Sequence, residues 1–215
     1  MKREYRVSIA VIKRLPKYYR YLGMIADKGI IRISSQELSN ITGLTASQIR
    51  QDLNHFGGFG QQGYGYNVEE LRGEIERIIG INKDYNAVII GAGNIGRALA
   101  QYKKFDGLGF KIRAMFDTDE RKVGTDFDGT PIYDMKNLGE FINKENVEII
   151  IITVPAGAAQ EIADTAVEAG VKGIWNFAPI DLKVPDNVVV ENVHLNDSLF
   201  TLTYYINNPS DYIPR

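Results

Sequence analysis

Residues 86–117 read NAVIIGAGNIGRALAQYKKFDGLGFKIRAMFD, and this stretch decides the fold. A short apolar run breaks into GAGNIG, a helix-like segment follows, and KIRAMFD is a second strand. Gly91, Gly93 and Gly96 fall at the spacing G-x-G-x-x-G. In that pattern the first glycine makes a tight turn, the second lets the backbone approach a pyrophosphate, and the third lets the new helix pack closely on the strand. Ala92, Asn94 and Ile95 complete the loop, and the helix that starts there is expected to turn its free N–H groups and positive dipole end toward a diphosphate. Asp117 ends the second strand 21 residues after Gly96 (117 − 96), where a carboxylate accepts hydrogen bonds from the hydroxyls of an adenosine ribose. Such a carboxylate repels a 2′-phosphate and favours NAD(H) over NADP(H), although the cation of Arg121 lies close by.

Downstream, apolar strands alternate with helices. A helix is expected near Met135 to Asn143, then the strand VEIIIITV, a helix from Gly157 to Ala169, and the strand GIWNF. Near-continuous apolar strands separated by helices imply a parallel sheet covered on both faces with right-handed crossovers, a Rossmann-like α/β fold. Thr153, Val154 and Pro155 end the fourth strand on the carboxyl edge, where ligands bind in open α/β sheets, so they are candidates for the nicotinamide side of the crevice. The sheet is expected to be used up near Pro185. The last segment, VVVENVHLNDSLFTLTYYINN, reads as a short strand followed by a helix in which Leu195, Leu199, Leu202 and Ile206 repeat at helical spacing, and Phe200 and Tyr204 add a second apolar strip. A terminal helix apolar on more than one side packs between two bodies, which points to a dimer element.

Upstream, Ser8 to Lys28 reads as helix interrupted near Pro16, with Leu15, Tyr19, Leu22 and Ile25 lining one face. In ISSQELSNITGLTASQIRQDLNHFG, Ser34 with Glu37 and Thr45 with Gln48 make two capping boxes, and Gly43 marks a tight turn between two short helices. Leu38, Ile41 and Leu44 supply the inner surface of the first. In the second, Ala46, Ile49, Leu53 and Phe56 share one face, while Ser47, Arg50, Gln51 and Asn54 share the opposite one. An Arg fork, two amides and a hydroxyl are the groups that read base edges and bind phosphates. The segment is therefore a helix-turn-helix with Thr45 to Phe56 as recognition helix, and with Gln48 beside its polar face. The glycines and aromatics of GGFGQQGYGYNV read as a small hairpin, a wing beside it, with a flexible linker as the alternative. Asn67 caps a charged helix through Ile79, and GINKDY marks a boundary. Three segments result: 1–80 for DNA binding, 81–192 for the dinucleotide, and 193–215 for dimerisation.

The net charge of −2 conceals an asymmetry. Residues 1–66 carry ten Lys or Arg and four Asp or Glu, giving +6, so the remainder carries 15 minus 23, or −8. A basic front part suggests a polyanion partner. The chain has no cysteine, which excludes disulfides and thiolate metal sites, and no metal ion is expected. No long uncharged apolar run or signal-like N-terminus occurs, so a cytoplasmic protein without membrane attachment is expected. A dehydrogenase needs a general acid or base near the nicotinamide, yet the two histidines, His55 and His194, fall on the recognition helix and before the last helix. With no catalytic residue to name, a nucleotide held without chemistry is a signal, and the chain has the composition of a ligand-controlled transcription factor.

Taken together, RLPKYYRYL, the helix-turn-helix and glycine-rich stretch, VIIGAGNIGRALAQY, FDTD, ITVPA and WNFAP resemble the Rex family of redox-sensing transcriptional repressors over nearly the whole chain. The resemblance implies a homodimer that binds palindromic operators when NADH is low and releases them when NADH occupies its nucleotide domains. It also implies a terminal helix exchanged between subunits. Arg14 in the first helix and Tyr102 after the fingerprint helix match residues that make alternative contacts with a polar group ahead of the exchanged helix. That position is His194 here, where an acid is expected, with Leu195 next to it and Asp197 one turn on. Gln61 and Gln62 stand in the wing where relatives carry Lys and Arg, which weakens attraction to a minor groove. The competing readings are a regulator sensing another nucleotide such as CoA, and a small NAD(H)-dependent reductase.

Overall fold

The computed structural model describes residues 7–57, 59, 64–102 and 105–212, and the chain divides between Asn82 and Lys83. In the first unit, α1 (Ile9–Ala26) begins at Ser8, whose side chain accepts the Val11 N–H. Its interior is one continuous helix through Pro16, not two pieces. A proline inside a helix removes one backbone bond and costs about 3 kcal/mol. Here the buried stripe of Val11, Leu15, Tyr18, Leu22 and Ile25 runs past Pro16 on both sides, so packing against the rest of the unit holds the helix together. The stripe uses Tyr18, which is fully buried, and leaves Tyr19 at the edge, where its ring lies under the Arg72 guanidinium.

After α1 come β1 (Arg32–Ile33), α2 (Ser35–Thr42), α3 (Ala46–Asn54), β2 (Tyr66–Asn67) and α4 (Val68–Ile79). Ser34 and Glu37 form both halves of a capping box, while Thr45 accepts from the Gln48 N–H as a simple cap. Gly43 ends α2 in the left-handed conformation. Leu38, Ile49 and Leu53 enter the core, but Ile41 is exposed, and the buried Thr42 takes the last inward position with its hydroxyl bonded to the Leu38 carbonyl. The two-stranded sheet differs from the hairpin expected within the glycine-rich segment: β2 pairs antiparallel with β1, from before the helix-turn-helix. The tip of the expected wing, including Gln61 and Gln62, lies outside the described residues. Asn67 caps α4 by accepting from the Glu70 N–H.

The second unit contains β3 (Tyr85–Ile90), α5 (Asn94–Ala100), β4 (Phe110–Asp117), β5 (Asp126–Phe127), β6 (Thr130–Asp134), α6 (Leu138–Lys144), β7 (Ile149–Ile152), α7 (Ala156–Glu168), β8 (Gly173–Asn176), β9 (Val189–Asn192) and α8 (Leu195–Asn207). They form a seven-stranded sheet in the order β5-β6-β4-β3-β7-β8-β9, parallel except for β5. Alternate residues of β3 feed opposite layers. Val88 and Ile90 meet a core that includes Leu138, Ile142, Ile162 and Ala166, while Ile89 packs with Met115, Ile132 and Ile151. Two strands, β5 and β6, go beyond the expected set, joined by a tight turn with Asp128 and Gly129 at positive φ. The short strand expected ahead of the last helix is β9, which pairs with β8, so the sheet continues past Pro185. Among the described residues, no helix is long and apolar enough to cross a membrane.

Candidate functional site

The fingerprint loop sits at the carboxyl end of β3. Gly91 has φ +100°, a conformation that disfavours any side chain, and a Cβ there would crowd Thr153. A Cβ at Gly96 would collide with the carbonyl oxygen of Gly91, which explains why the helix can approach the strand only with glycine at that place. A Cβ at Gly93 would meet nothing within 4 Å, so this backbone is bare toward the space above the loop. Asn94 and Ile95 open α5 in exposed positions. The first turn of α5 has no side-chain cap, whereas α1, α2, α3 and α4 are capped by Ser8, Ser34, Thr45 and Asn67. Bare backbone and uncapped N–H groups suit a diphosphate.

Asp117 ends β4 beside this loop. Its Oδ2 accepts the Ala92 N–H at 2.8 Å and the Lys122 ammonium at 2.9 Å, and its Oδ1 accepts the Asp119 N–H at 2.9 Å. Burial pushes the carboxyl up, but the Asp119 N–H, Lys122 and the Ala92 N–H outweigh it and hold the group below the usual carboxylate range. On the next strand, Thr153 donates its hydroxyl to the carbonyls of Ile90 and Gly91, both at 2.9 Å, so it fixes the glycine turn. Val154 and Pro155 continue the wall. Gly91, Gly93, Asp117, Thr153, Val154 and Pro155 line one crevice of about 300 Å³. Sequence reasoning missed Lys122, Met135 and Ile162, which line the same crevice. Helical and strand periodicity carries no signal for these side chains, because a turn and sheet crossovers bring them in.

The geometry fits an adenine dinucleotide: a glycine cradle, uncapped N–H groups, and a charged carboxylate at the end of the neighbouring parallel strand, lining the same crevice. No group of three or more His, Cys, Asp or Glu side chains able to hold a metal ion occurs among the described residues.

In the first unit, α3 presents Ser47, Arg50, Gln51 and Asn54 as exposed side chains on one face, with Gln48 half-buried beside them. Arg50 donates one guanidinium N–H to the Ser35 hydroxyl at 2.8 Å, which steadies the side chain from α2. The opposite face holds Ile49, Leu53 and the buried Asp52. Arg14 grips Asp52 with two hydrogen bonds of 2.6 and 2.7 Å, and Tyr18 donates its hydroxyl to the same carboxylate at 2.6 Å. Asp52 raises the Arg14 pKa, and burial, then Asp52, raises that of Tyr18. Asp52 is a further residue the sequence did not disclose. A carboxylate between Gln51 and Leu53 reads as surface until α1 is packed against it.

Each residue matched to a switch position has partners within its own unit. Arg14 is engaged by Asp52, the exposed Tyr102 meets the Phe105 ring edge-on at 4.9 Å, and His194 lies 3.3 Å from Asp181. Asp181 also accepts from Asn192, which in turn accepts from the fully buried Asn176. These amides tie the ends of β8 and β9 to the residue ahead of α8. Helix α8 buries none of its residues, and Leu195, Leu199, Phe200, Leu202, Tyr204 and Ile206 are all exposed.

A helix-turn-helix unit with a two-stranded ribbon, followed by a Rossmann-like unit with a dinucleotide fingerprint, defines a class of nucleotide-linked DNA-binding proteins. A family model described as a putative DNA-binding protein N-terminus matches residues 6–54, and one described as a CoA binding domain matches residues 82–180. The chain is 56% identical to the redox-sensing transcriptional repressor Rex of Clostridioides difficile, across 92% of this chain and 94% of that one. It is 54% identical to Rex of Clostridium perfringens, across 97% and 98%. A crystal structure of the protein RSP in complex with β-NAD⁺ and operator DNA is similar at a TM-score of 0.91 and 52% identity, covering 96% of this chain and 95% of that one. The complex of RSP with β-NADH is similar at 0.89 and 49% identity, covering 96% and 97%. The chain belongs to the Rex family of redox-sensing transcriptional repressors.

Proposed function

We propose that this protein is a transcriptional repressor that binds palindromic operator DNA and is released from it by NADH, so that it reports the balance of NADH and NAD⁺. The observation that carries the reading is the crevice lined by Gly91, Gly93 and Asp117, in a chain whose relatives are Rex repressors and whose structural neighbour RSP has been crystallised with β-NAD⁺ and operator DNA and with β-NADH. In this reading residues 1–80 bind DNA, 81–192 bind the nucleotide and 193–215 form the dimerisation helix. Ser47, Gln48, Arg50, Gln51 and Asn54 face the major groove. Gly91, Ala92, Gly93, Asn94, Ile95 and Gly96 hold the pyrophosphate, Asp117 the ribose, and Thr153, Val154 and Pro155 the nicotinamide side. The exposed apolar strips of α8 are covered by a second copy of the chain, as a dimer on a palindrome requires. The protein turns over no substrate and acts in the cytoplasm.

NADH and NAD⁺ differ by one positive charge and by ring planarity at the nicotinamide. A sensor must convert that difference into unequal affinity for two dimer shapes, because a ligand indifferent to shape shifts nothing. Pro155 and the partner's Leu195 accept the neutral ring, and the closed dimer carries its recognition helices out of register with the two half-sites. The match to a CoA binding domain favours a second reading on the same sheet. Asp117 opposes it, because the 3′-phosphate of CoA would lie against a carboxylate. The test is a gel shift on a palindromic operator at fixed salt, titrated with each nucleotide. NADH is expected to release the DNA while NAD⁺ at equal occupancy does not. Equal release by both contradicts redox sensing.

A further inference from the structure

Asp117 holds more donors than a ribose-binding carboxylate is expected to hold. A carboxylate offers about four lone-pair positions. Oδ2 has both of its positions filled, by the Ala92 N–H and the Lys122 ammonium, and Oδ1 has one filled by the Asp119 N–H. One acceptor position remains, on Oδ1. A ribose diol brings two hydroxyls, so Asp117 as it stands can satisfy only one of them as an acceptor. The other hydroxyl needs a different partner within reach of Oδ2.

Lys122 is the group in that place. Its ammonium has three N–H donors. One goes to Asp117 at 2.9 Å, and the other acid near it, Asp119, is 3.9 Å away and already gripped by both nitrogens of the Arg121 fork. The Lys122 side chain is 27% exposed and lines the same crevice as Asp117, so it borders the space a ligand enters. Its position is fixed by the turn that follows β4, where the Lys122 N–H donates to the Asp119 carbonyl at 2.8 Å. An ordinary surface ion pair has no such second duty, and its partner anion is not a pocket wall.

We infer that Lys122 and Asp117 read the adenosine ribose as a pair, Asp117 accepting from one hydroxyl through Oδ1 and Lys122 donating to the oxygen of the other. This deepens the proposed function and rests on its nucleotide site. Lys122 is thus a binding residue for the diol, and it acts equally on the oxidised and reduced dinucleotide because the adenosine end is common to both. It also neutralises one carboxylate of the pocket, so exclusion of ribose phosphates depends on the filled geometry at Oδ2 more than on raw charge.

The experiment uses the full-length protein, its Lys122→Met and Lys122→Arg variants, and calorimetric titration with NADH, NAD⁺, ADP-ribose, the 2′-deoxy and 3′-deoxy forms of ADP-ribose, NADPH and CoA. Thermal melting verifies that each variant is folded, and Lys122→Arg retains the cation where Lys122→Met does not. Lys122→Met is expected to weaken NADH and NAD⁺ alike by about tenfold, the scale of a hydrogen bond to a charged group, with their ratio unchanged. Removing one of the two ribose hydroxyls is expected to cost the wild type about tenfold and the Met variant almost nothing, while removing the other costs both proteins equally. Lys122→Arg is expected to recover part of the loss. The inference is overturned if Lys122→Met binds NADH as the wild type does, or if both deoxy penalties persist unchanged in that variant, which would leave Lys122 only a support for Asp117. It is overturned also if NADPH or CoA binds the wild type at least as tightly as NADH and loses that affinity in Lys122→Met, since the cation would then be holding a phosphate. A wild type that binds ADP-ribose with the expected pattern but treats NADH and NAD⁺ alike would sink redox sensing and leave the ribose pair standing.

Discussion

Asp52 in the first unit and Asp117 in the second are both largely withdrawn from water, both paired with a cation, and both accept three hydrogen bonds. They do different work. Asp52 is 2% exposed, and its donors, Arg14 and Tyr18, come from α1, so its spare acceptor position faces protein and nothing from solution can use it. Asp117 has a side chain 11% exposed, and its spare position opens on a crevice of about 300 Å³. One carboxylate fastens the recognition helix to its own unit. The other waits for a ligand. The number of partners does not separate them; access to the remaining lone pair does.

The largest effect should come from breaking the closed carboxylate. Asp52→Ala leaves the Arg14 cation without its partner against the core, and removal of one member of a buried pair costs about 3–5 kcal/mol. Denaturant unfolding of the first unit should show a loss of that size, with NADH affinity of the second unit close to wild type. A loss under about 1 kcal/mol would mean that water reaches Arg14 and that the contrast with Asp117 is one of degree. A smaller effect, on function and not on folding, is expected at the exposed face of the same helix. Arg50→Ala should cost about 1–3 kcal/mol in operator affinity and flatten discrimination between operator variants while the unfolding midpoint stays put. Uniform weakening on all sequences would reassign Arg50 to phosphate contact.

The smallest effect is the acid limb set by Asp117. Its carboxyl is depressed in the folded protein relative to the unfolded value of about 3.9. A depressed carboxylate contributes stability that is complete above the unfolded value and is lost as pH falls through the folded one. Asp117→Asn should therefore lose less stability than the wild type between about pH 4 and pH 2, and show the same pH profile as wild type above about pH 5. Parallel profiles down to the lowest pH would show that the three donors do not favour the charged form.

Much of the molecule was legible because its signals are local. The glycine spacing at 91, 93 and 96 is such a signal: Gly91 takes a positive φ that disfavours a side chain, and a Cβ at Gly96 would collide with the Gly91 carbonyl. Ser34, Thr45 and Asn67 announce helix starts because a side-chain oxygen satisfies an N–H three residues on. The β5–β6 turn was equally local: Asp128 and Gly129 have the residue types that accept positive φ, and the strands on either side were overlooked because they are short and flank charged residues. Strand β9 lies within the short strand read at the start of VVVENVHLNDSLFTLTYYINN, but its place was not legible: the pattern of Val190 inward and Val189 outward is that of any half-exposed segment, and only pairing with β8 puts it in the sheet.

By itself the sequence determined the main helices and the central strands, where the fingerprint loop and the polar face of α3 lie, and that a dinucleotide and a polyanion are the partners to expect. Those properties depend on periodicity, capping and φ preferences summed over a few neighbouring residues. The tertiary structure alone decided that α1 runs unbroken through Pro16, that Asp52 is buried under Arg14 and Tyr18, and that Lys122 pairs with Asp117. In each case the outcome turns on which side chains from different elements meet, and that is fixed by helix packing and turn geometry that no short window of sequence contains.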